Sequence, residues 1–296
     1  EIAYRALDLK GDVITTPFSF VATTSSLVTN NLNPVFCDIN KYSLNLDEKK
    51  IEPLIKTTTT GIVPVHSYGN ACNIEVIQTI AKQNNLKVIY DAAHTFGIKY
   101  KKNSILSYGN ISTISFHATK LFHTIEGGAL IINDDALVEK ARYLINFGIK
   151  NQEEIPHVGI NAKMNEFEAA MGLCLLDDID LITSKRKEVY EFYKNNLKDF
   201  IQIPKQNPDS TQNYSYFPII FKSEEELLTV QKALNEKGIY PRRYFYPSLD
   251  TLSYIKDKQT CPISRNISLR ILCLPIYAEL NINTQKSIIS LIKKYL

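Results

Sequence analysis

What this sequence lacks narrows the reading first. No apolar run approaches the roughly 18 residues that would cross a bilayer as a helix, and no signal-peptide pattern is legible. No block of like charge appears either. Its 34 Lys and Arg are interspersed with 31 Asp and Glu, for a net charge of +3. That distribution excludes a basic nucleic-acid stripe and a polybasic membrane patch. Cysteines are few, odd in number and scattered, at positions 37, 72, 174, 261 and 273. Without close pairs they suggest neither a zinc site nor a disulfide framework, and the sequence predicts a reduced, cytoplasmic setting. There is no internal repeat and no low-complexity tract. An initiator methionine is missing too, and Glu1 to Leu9 reads as the later part of an amphipathic helix with no capping residue ahead of it. This predicts an N-terminal portion preceding Glu1.

What is present is a chain of 296 residues, 44% hydrophobic, enough for one large domain and a smaller one. Short apolar runs at Val13–Thr16, Pro34–Asp38, Gly61–His66, Leu86–Asp91, Ile111–Phe116 and Ala129–Ile132 read as strands. Helical patterns alternate with several of them, at Phe18–Asn30, Leu46–Ile55, Ile74–Asn84 and Asp134–Gly148. This alternation predicts βαβ units and a mainly parallel sheet buried on both faces. Asn165–Leu176 is apolar at helical spacing, and Asp180–Phe200 reads as a long amphipathic helix. The remainder predicts strands at Tyr214–Phe221 and Ile271–Pro275, helices at Glu224–Lys237 and Thr284–Leu296, and an extended Tyr240–Tyr246. The expected division is a large α/β domain over 1–185 and a small α+β domain over 186–296.

In such sheets a ligand sits outside the carboxyl ends of the strands. Asp91 and Ser115 fall at two such ends, and Lys120 lies on the loop between two apolar strands. A lysine there suits an amine that must lose its proton and attack a carbonyl, although most lysines are surface or ion-paired groups. A buried-strand carboxylate such as Asp91 is costly to desolvate unless something cationic pairs with it, a helix-capping or turn role being the alternative. The ring nitrogen of pyridoxal phosphate is such a cation, and a carboxylate keeps it protonated so that the ring accepts electrons. Phe20, at a strand-to-helix junction, could stack on that ring or belong to the core. Ser115 could donate to a phosphate or merely close its strand. Gly127–Gly128 could admit a ligand to the backbone or make a turn. Four of the five histidines, 66, 94, 117 and 123, lie in this half without ligand spacing, so no metal site is expected.

With those residues in place, the chain resembles the DegT/DnrJ/EryC1/StrS sugar aminotransferases, which are fold type I pyridoxal phosphate enzymes. The matching segments are Thr15–Thr23, Pro64–Asn70, Tyr90–His94, Ser115–Lys120, Glu126–Ala129, Gly159–Phe167, Arg242–Pro247 and Leu274–Tyr277. They run in family order over nearly the whole chain. The resemblance implies that Lys120 forms the Schiff base and carries protons, and that Asp91 pairs with the ring nitrogen. It further implies His94 near the ring hydroxyl, Phe20 stacking on the ring, and Ser115 as a phosphate ligand. Asn161 would reach the phosphate held by a partner subunit, which implies a homodimer; the neighbouring Lys163 stands where many members carry arginine. Members open the first helix with a small-residue pair whose N–H groups cradle phosphate, a turn that would lie ahead of Glu1.

The wording of Thr15–Phe20 and Arg242–Pro247 is most similar to enzymes aminating dTDP-4-keto-6-deoxyglucose, with glutamate as donor, for surface polysaccharide. A sister group aminates carbon 3 instead, and a non-catalytic fragment is the rival from another class.

Overall fold

Six short strands, each with an apolar part, build the sheet that carries everything else. The computed structural model describes residues 1–296. Helix α1 (Ile2–Ala6) leads into β1 (Asp12–Thr15), α2 (Ala22–Thr29), β2 (Asn33–Phe36), β3 (Thr59–Val63), α3 (Ile74–Gln83) and β4 (Lys87–Asp91). A two-residue ladder, β5 (Lys99–Tyr100) with β6 (Asn103–Ser104), precedes β7 (Ile111–Ser115), β8 (Gly128–Ile132) and α4 (Asp135–Ile145). The sheet order is β2-β1-β3-β4-β7-β8, parallel throughout except that β8 returns antiparallel to β7. The chain between those last two strands is therefore a hairpin-like excursion at the carboxyl end of the sheet. Lys120 rides on it.

Alternation along the strands fills both faces, as the period of two requires. Ile14, Ile62, Val88 and Tyr90 pack with Ile74, Ile77 and Ile80 of α3 on one side. Val13, Val63, Ile89 and Ile111 pack with Leu27 of α2 and with Ala141 and Leu144 of α4 on the other. Each fully buried isoleucine of this kind contributes about 1.5–3 kcal/mol. The sheet is thus a rigid platform for the loops at its end.

A second core lies further along. Helix α5 (Glu166–Leu197) contributes Val189, Tyr193 and Leu197 to it. They pack against β9 (Phe217–Ile220), α6 (Glu224–Asn235), β10 (Ile271–Leu274) and α8 (Ile282–Tyr295), with β9 and β10 antiparallel. Helix α7 (Pro262–Arg270) is tied to the first sheet, because the Asp38 carboxylate accepts the Ile263 and Ser264 N–H groups at 3.0 and 2.9 Å. The fully buried Asp250 accepts from Ser248 Oγ, Cys261 N and Arg265 Nε, which fixes the preceding strap. Leu249 N–H then donates to the Pro17 carbonyl at 2.8 Å. The strap therefore holds the loop that carries Phe20.

Several expectations need correction. Leu46–Ile55 is not an α-helix but two 3-10 turns, Glu48–Lys50 and Glu52–Leu54, because Pro53 removes an amide from the middle of the run. Asn165–Leu176 and Asp180–Phe200 are one continuous helix, since neither glycine nor proline separates them and Asn165 with Glu168 forms a capping box at its start. The segment Phe18–Asn30 becomes helical only at Ala22, while Tyr240–Tyr246, expected as extended chain, lies outside every helix and makes one bridge, between Arg242 and Cys273. Helix α7 and the β5–β6 ladder had no expectation behind them.

Candidate active site

The carboxyl ends of β1, β4 and β7 are neighbours through β3, and each delivers one polar or aromatic group. Asp91 ends β4 half-buried. Its Oδ2 accepts from Thr23 Oγ1 at 2.8 Å, and its Oδ1 accepts from Ala93 N at 3.2 Å. Lys120 follows a turn closed by Lys120 N–H to the His117 carbonyl, 2.9 Å. Burial disfavours the ammonium and lowers the Lys120 pKa from its usual value, while the Asp91 charge works the other way. No ion pair joins the Lys120 amine to the Asp91 carboxylate, whose close partners are Thr23 and Ala93.

His94 completes the group. Its Nδ1 accepts the Tyr68 N–H at 3.2 Å, so the neutral ring carries its proton on Nε2. Burial, with the Lys120 charge adding to it, holds its pKa well below the ordinary histidine value. The imidazole lies parallel to the rings of Phe245 and Tyr68, centroids 5.8 and 6.5 Å away, and tilted against Tyr216 at 4.7 Å. Tyr68 reaches this position with φ 56°, next to Gly69, where a Cβ would lie 2.9 Å from the His94 carbonyl oxygen. Asn213 clamps the same carbonyl with its side-chain amide at 2.9 Å. The imidazole is a fixed, neutral donor.

Phe20 is 53% exposed, in contrast to Phe18, which is fully buried. Core packing therefore does not account for Phe20. Ser115 closes β7 opposite Gly128, and its Oγ accepts the His117 N–H at 3.3 Å. At Gly127, φ is 146°, and an added Cβ would come within 2.8 Å of Met164 Cε. The glycine pair thus serves a tight return of the lysine loop against the segment leading into α5. His117 Nε2 and Glu126 Oε1, 3.6 Å apart, bracket the same loop.

Asp91, His94 and Lys120 lie near enough for the lysine charge to act on both of the others. Asn161 is not drawn into that group within one chain. It is exposed, bridges to Asn146, and accepts from Lys163 Nζ at 2.9 Å. The chain presents no cluster of residues suited to a metal ion.

A family model described as the DegT/DnrJ/EryC1/StrS aminotransferase family matches residues 1–293. The chain belongs to this aminotransferase family. Among the relatives of this aminotransferase is the dTDP-4-amino-4,6-dideoxy-D-glucose transaminase of Shigella dysenteriae, 43% identical across 99% of this chain and 82% of that one. The Escherichia coli protein of the same name is 39% identical, over 94% of this chain and 78% of that one. Among solved structures, DesI in the presence of its TDP-sugar product superposes with a TM-score of 0.93 at 28% identity, over 99% of this chain and 76% of that one. The Helicobacter pylori aminotransferase PseC gives 0.89 at 26%, over 99% and 83%. The architecture is accordingly the α/β fold type I of such transferases.

Sequence reasoning passed over Ser19, Thr23, Tyr68 and Asn213 as the neighbours that hold Asp91 and His94. The first three lie inside the motifs Thr15–Thr23 and Pro64–Asn70, so the signal was present. Asn213 sits outside every motif, and only the folded chain brings it to His94.

Proposed function

We propose that this aminotransferase uses pyridoxal phosphate to convert dTDP-4-keto-6-deoxy-D-glucose to dTDP-4-amino-4,6-dideoxy-D-glucose, with glutamate as amino donor, for surface polysaccharide. The observation that carries the reading is an amine whose charged form burial disfavours and whose charge a strand-end carboxylate supports, in a chain of this family. The names of the two curated relatives support the dTDP-sugar and carbon 4.

The residues fit the cofactor by their chemistry. An unpaired carboxylate, a neutral imidazole donor and an exposed aromatic ring suit a flat cationic heterocycle, and Ser115 offers a hydroxyl at the neighbouring strand end. When bound, pyridoxal phosphate supplies an electron sink for a carbanion. Lys120 would supply the amine that holds it and, once displaced by the amino donor, would act as the base that takes the proton from the donor carbon and delivers it to the cofactor carbon that had carried the lysine. Its lowered pKa keeps a larger neutral fraction ready for both tasks. Asp91 would keep a proton on the ring nitrogen, His94 would offer its Nε2 proton to the ring hydroxyl, and Phe20 would cover a ring face and exclude water there. Ser115 and the partner subunit's Asn161 would bind phosphate.

We also read the protein as a homodimer, with domains over 1–185 and 186–296, acting in the cytoplasm. The dimer reading is supported by apolar residues left uncovered on and before α5. Phe167 is 89% exposed, and Val158, Ile155 and Leu173 are exposed too. No helix is long and apolar enough to cross a membrane. The test is to incubate the protein with pyridoxal phosphate, glutamate and candidate keto sugar nucleotides, and to read the amine position by NMR. A dTDP-sugar aminated at carbon 4 supports the proposal. Amination at carbon 3 overturns its regiochemistry, and amination of none of the sugar nucleotides overturns it altogether.

A further inference from the structure

We infer that Ser19 and Thr23 are positioning residues for the Asp91 carboxylate, forming a two-hydroxyl relay that fixes where its charge points. The direction of each bond follows from the atoms. An ionised carboxylate only accepts, so the 2.8 Å contact between Thr23 Oγ1 and Asp91 Oδ2 uses the single Thr23 proton. The 2.8 Å contact between Ser19 Oγ and Thr23 Oγ1 must then run from Ser19 to Thr23. Both hydroxyls are buried, at 4% and 5% exposure, so water does not compete for them. The Ala93 amide holds the other oxygen at 3.2 Å. Each oxygen of Asp91 thus has one fixed donor, which sets the carboxylate plane while leaving lone pairs on both for a ligand.

The relay also links two parts of the site. Ser19 and Thr23 flank Phe20 on one short segment, where Phe18 N–H turns back to Thr16 Oγ1 and the Pro17 carbonyl accepts from Leu249 N–H. The segment that presents the ring outward presents its hydroxyls inward to Asp91. Both hydroxyl protons are committed within the chain Ser19–Thr23–Asp91, so their effect passes through Asp91.

The inference rests on the cofactor reading above. Its test compares wild type with Thr23→Val, which keeps the shape and removes the donor, Thr23→Ser, which restores it, and Ser19→Ala. Two quantities are read for each full-length protein: the pyridoxal phosphate dissociation constant, and the pH midpoint of the bound cofactor's visible absorbance. The titratable groups around Asp91 are Lys120, Tyr4, Cys72 and His94, and none changes among these variants. Losing a hydrogen bond to a charged group predicts a rise in dissociation constant on the order of tenfold or more in Thr23→Val. The midpoint shifts with it, Thr23→Ser returns both toward wild type, and Ser19→Ala moves both in the same direction by less. Should Thr23→Val fail to fold, wild-type values of both quantities in Ser19→Ala overturn the relay by themselves. Wild-type values in both Thr23→Val and Ser19→Ala overturn the relay alone, as does a Thr23→Ser variant no better than valine. A wild-type protein that acquires no absorbance overturns the cofactor reading itself.

Discussion

Replacing Phe20 by alanine separates affinity from stability, because this ring is more than half exposed while its neighbour Phe18 is fully buried. In the free protein the Phe20 ring covers little core, so its loss changes folding stability by only about 0.5 kcal/mol, as for other surface substitutions. In the loaded protein the same ring is expected to lie on the cofactor. An aromatic pair contributes about 0.5–1.5 kcal/mol beyond its area. The area newly covered adds on the order of 1 kcal/mol at about 25 cal/mol per Å². Together these give about 1.5–2.5 kcal/mol, or a loss of roughly ten- to seventyfold in affinity. Phe20→Tyr keeps the stacking face and stays near wild type. Phe18→Ala is the opposite case. Phe18 meets Tyr68 and Phe245 edge-on at 6.2 and 5.5 Å, and its truncation costs about 3–5 kcal/mol of stability. Fluorescence or absorbance titration with pyridoxal phosphate, beside denaturant unfolding, reads both effects. Undiminished affinity in Phe20→Ala would refute the stacking argument.

The other predictions concern stability and assembly. Burial lowers the pKa of His66 to about 3 and holds that of His94 well below its ordinary value. Below about pH 6.5 the unfolded chain binds more protons at both sites, so stability falls with acidification by about 1.4 kcal/mol per pH unit for each histidine. Thermal melts between pH 8 and 5 check this, and a flat Tm contradicts it. Phe167→Asp combined with Leu173→Asp places charge on the uncovered face of α5 and is expected to give monomers in sedimentation, while an intact dimer refutes that interface. Arg265→Ala leaves the buried Asp250 without its cation. Because Arg265 is partly exposed, the expected loss is about 2 kcal/mol, below the full value of a buried pair, as measured by denaturant unfolding.

How much of this was legible in the chain depends on the range of the interactions involved. The strands of the parallel sheet were readable because both their faces are buried, which makes them near-continuous apolar runs such as Val88-Ile89-Tyr90. Their ends located Asp91, Ser115 and the Lys120 loop, since a strand-end position follows from local pattern. Continuity of α5 was misjudged because the polar stretch around Asp177–Asp180 imitates a break, yet it is merely a solvated part of one helix. The Leu46–Ile55 run kept an apolar period that Pro53 overrides. Asn213 and Tyr216 were out of reach for a different reason. Their contacts with His94 join positions more than a hundred residues apart, and no local pattern encodes that. The exposed side of Phe20 was undecided from residue type and needed the packing of Phe18 to settle it.

The central claim is that the Lys120 amine is the group that captures the cofactor. Incubating the full chain with pyridoxal phosphate, reducing with borohydride, digesting and mapping the added mass tests it directly. The account predicts a single modified peptide carrying the label on Lys120, and none in Lys120→Ala. A label on any other lysine with Lys120 left unmodified would contradict it.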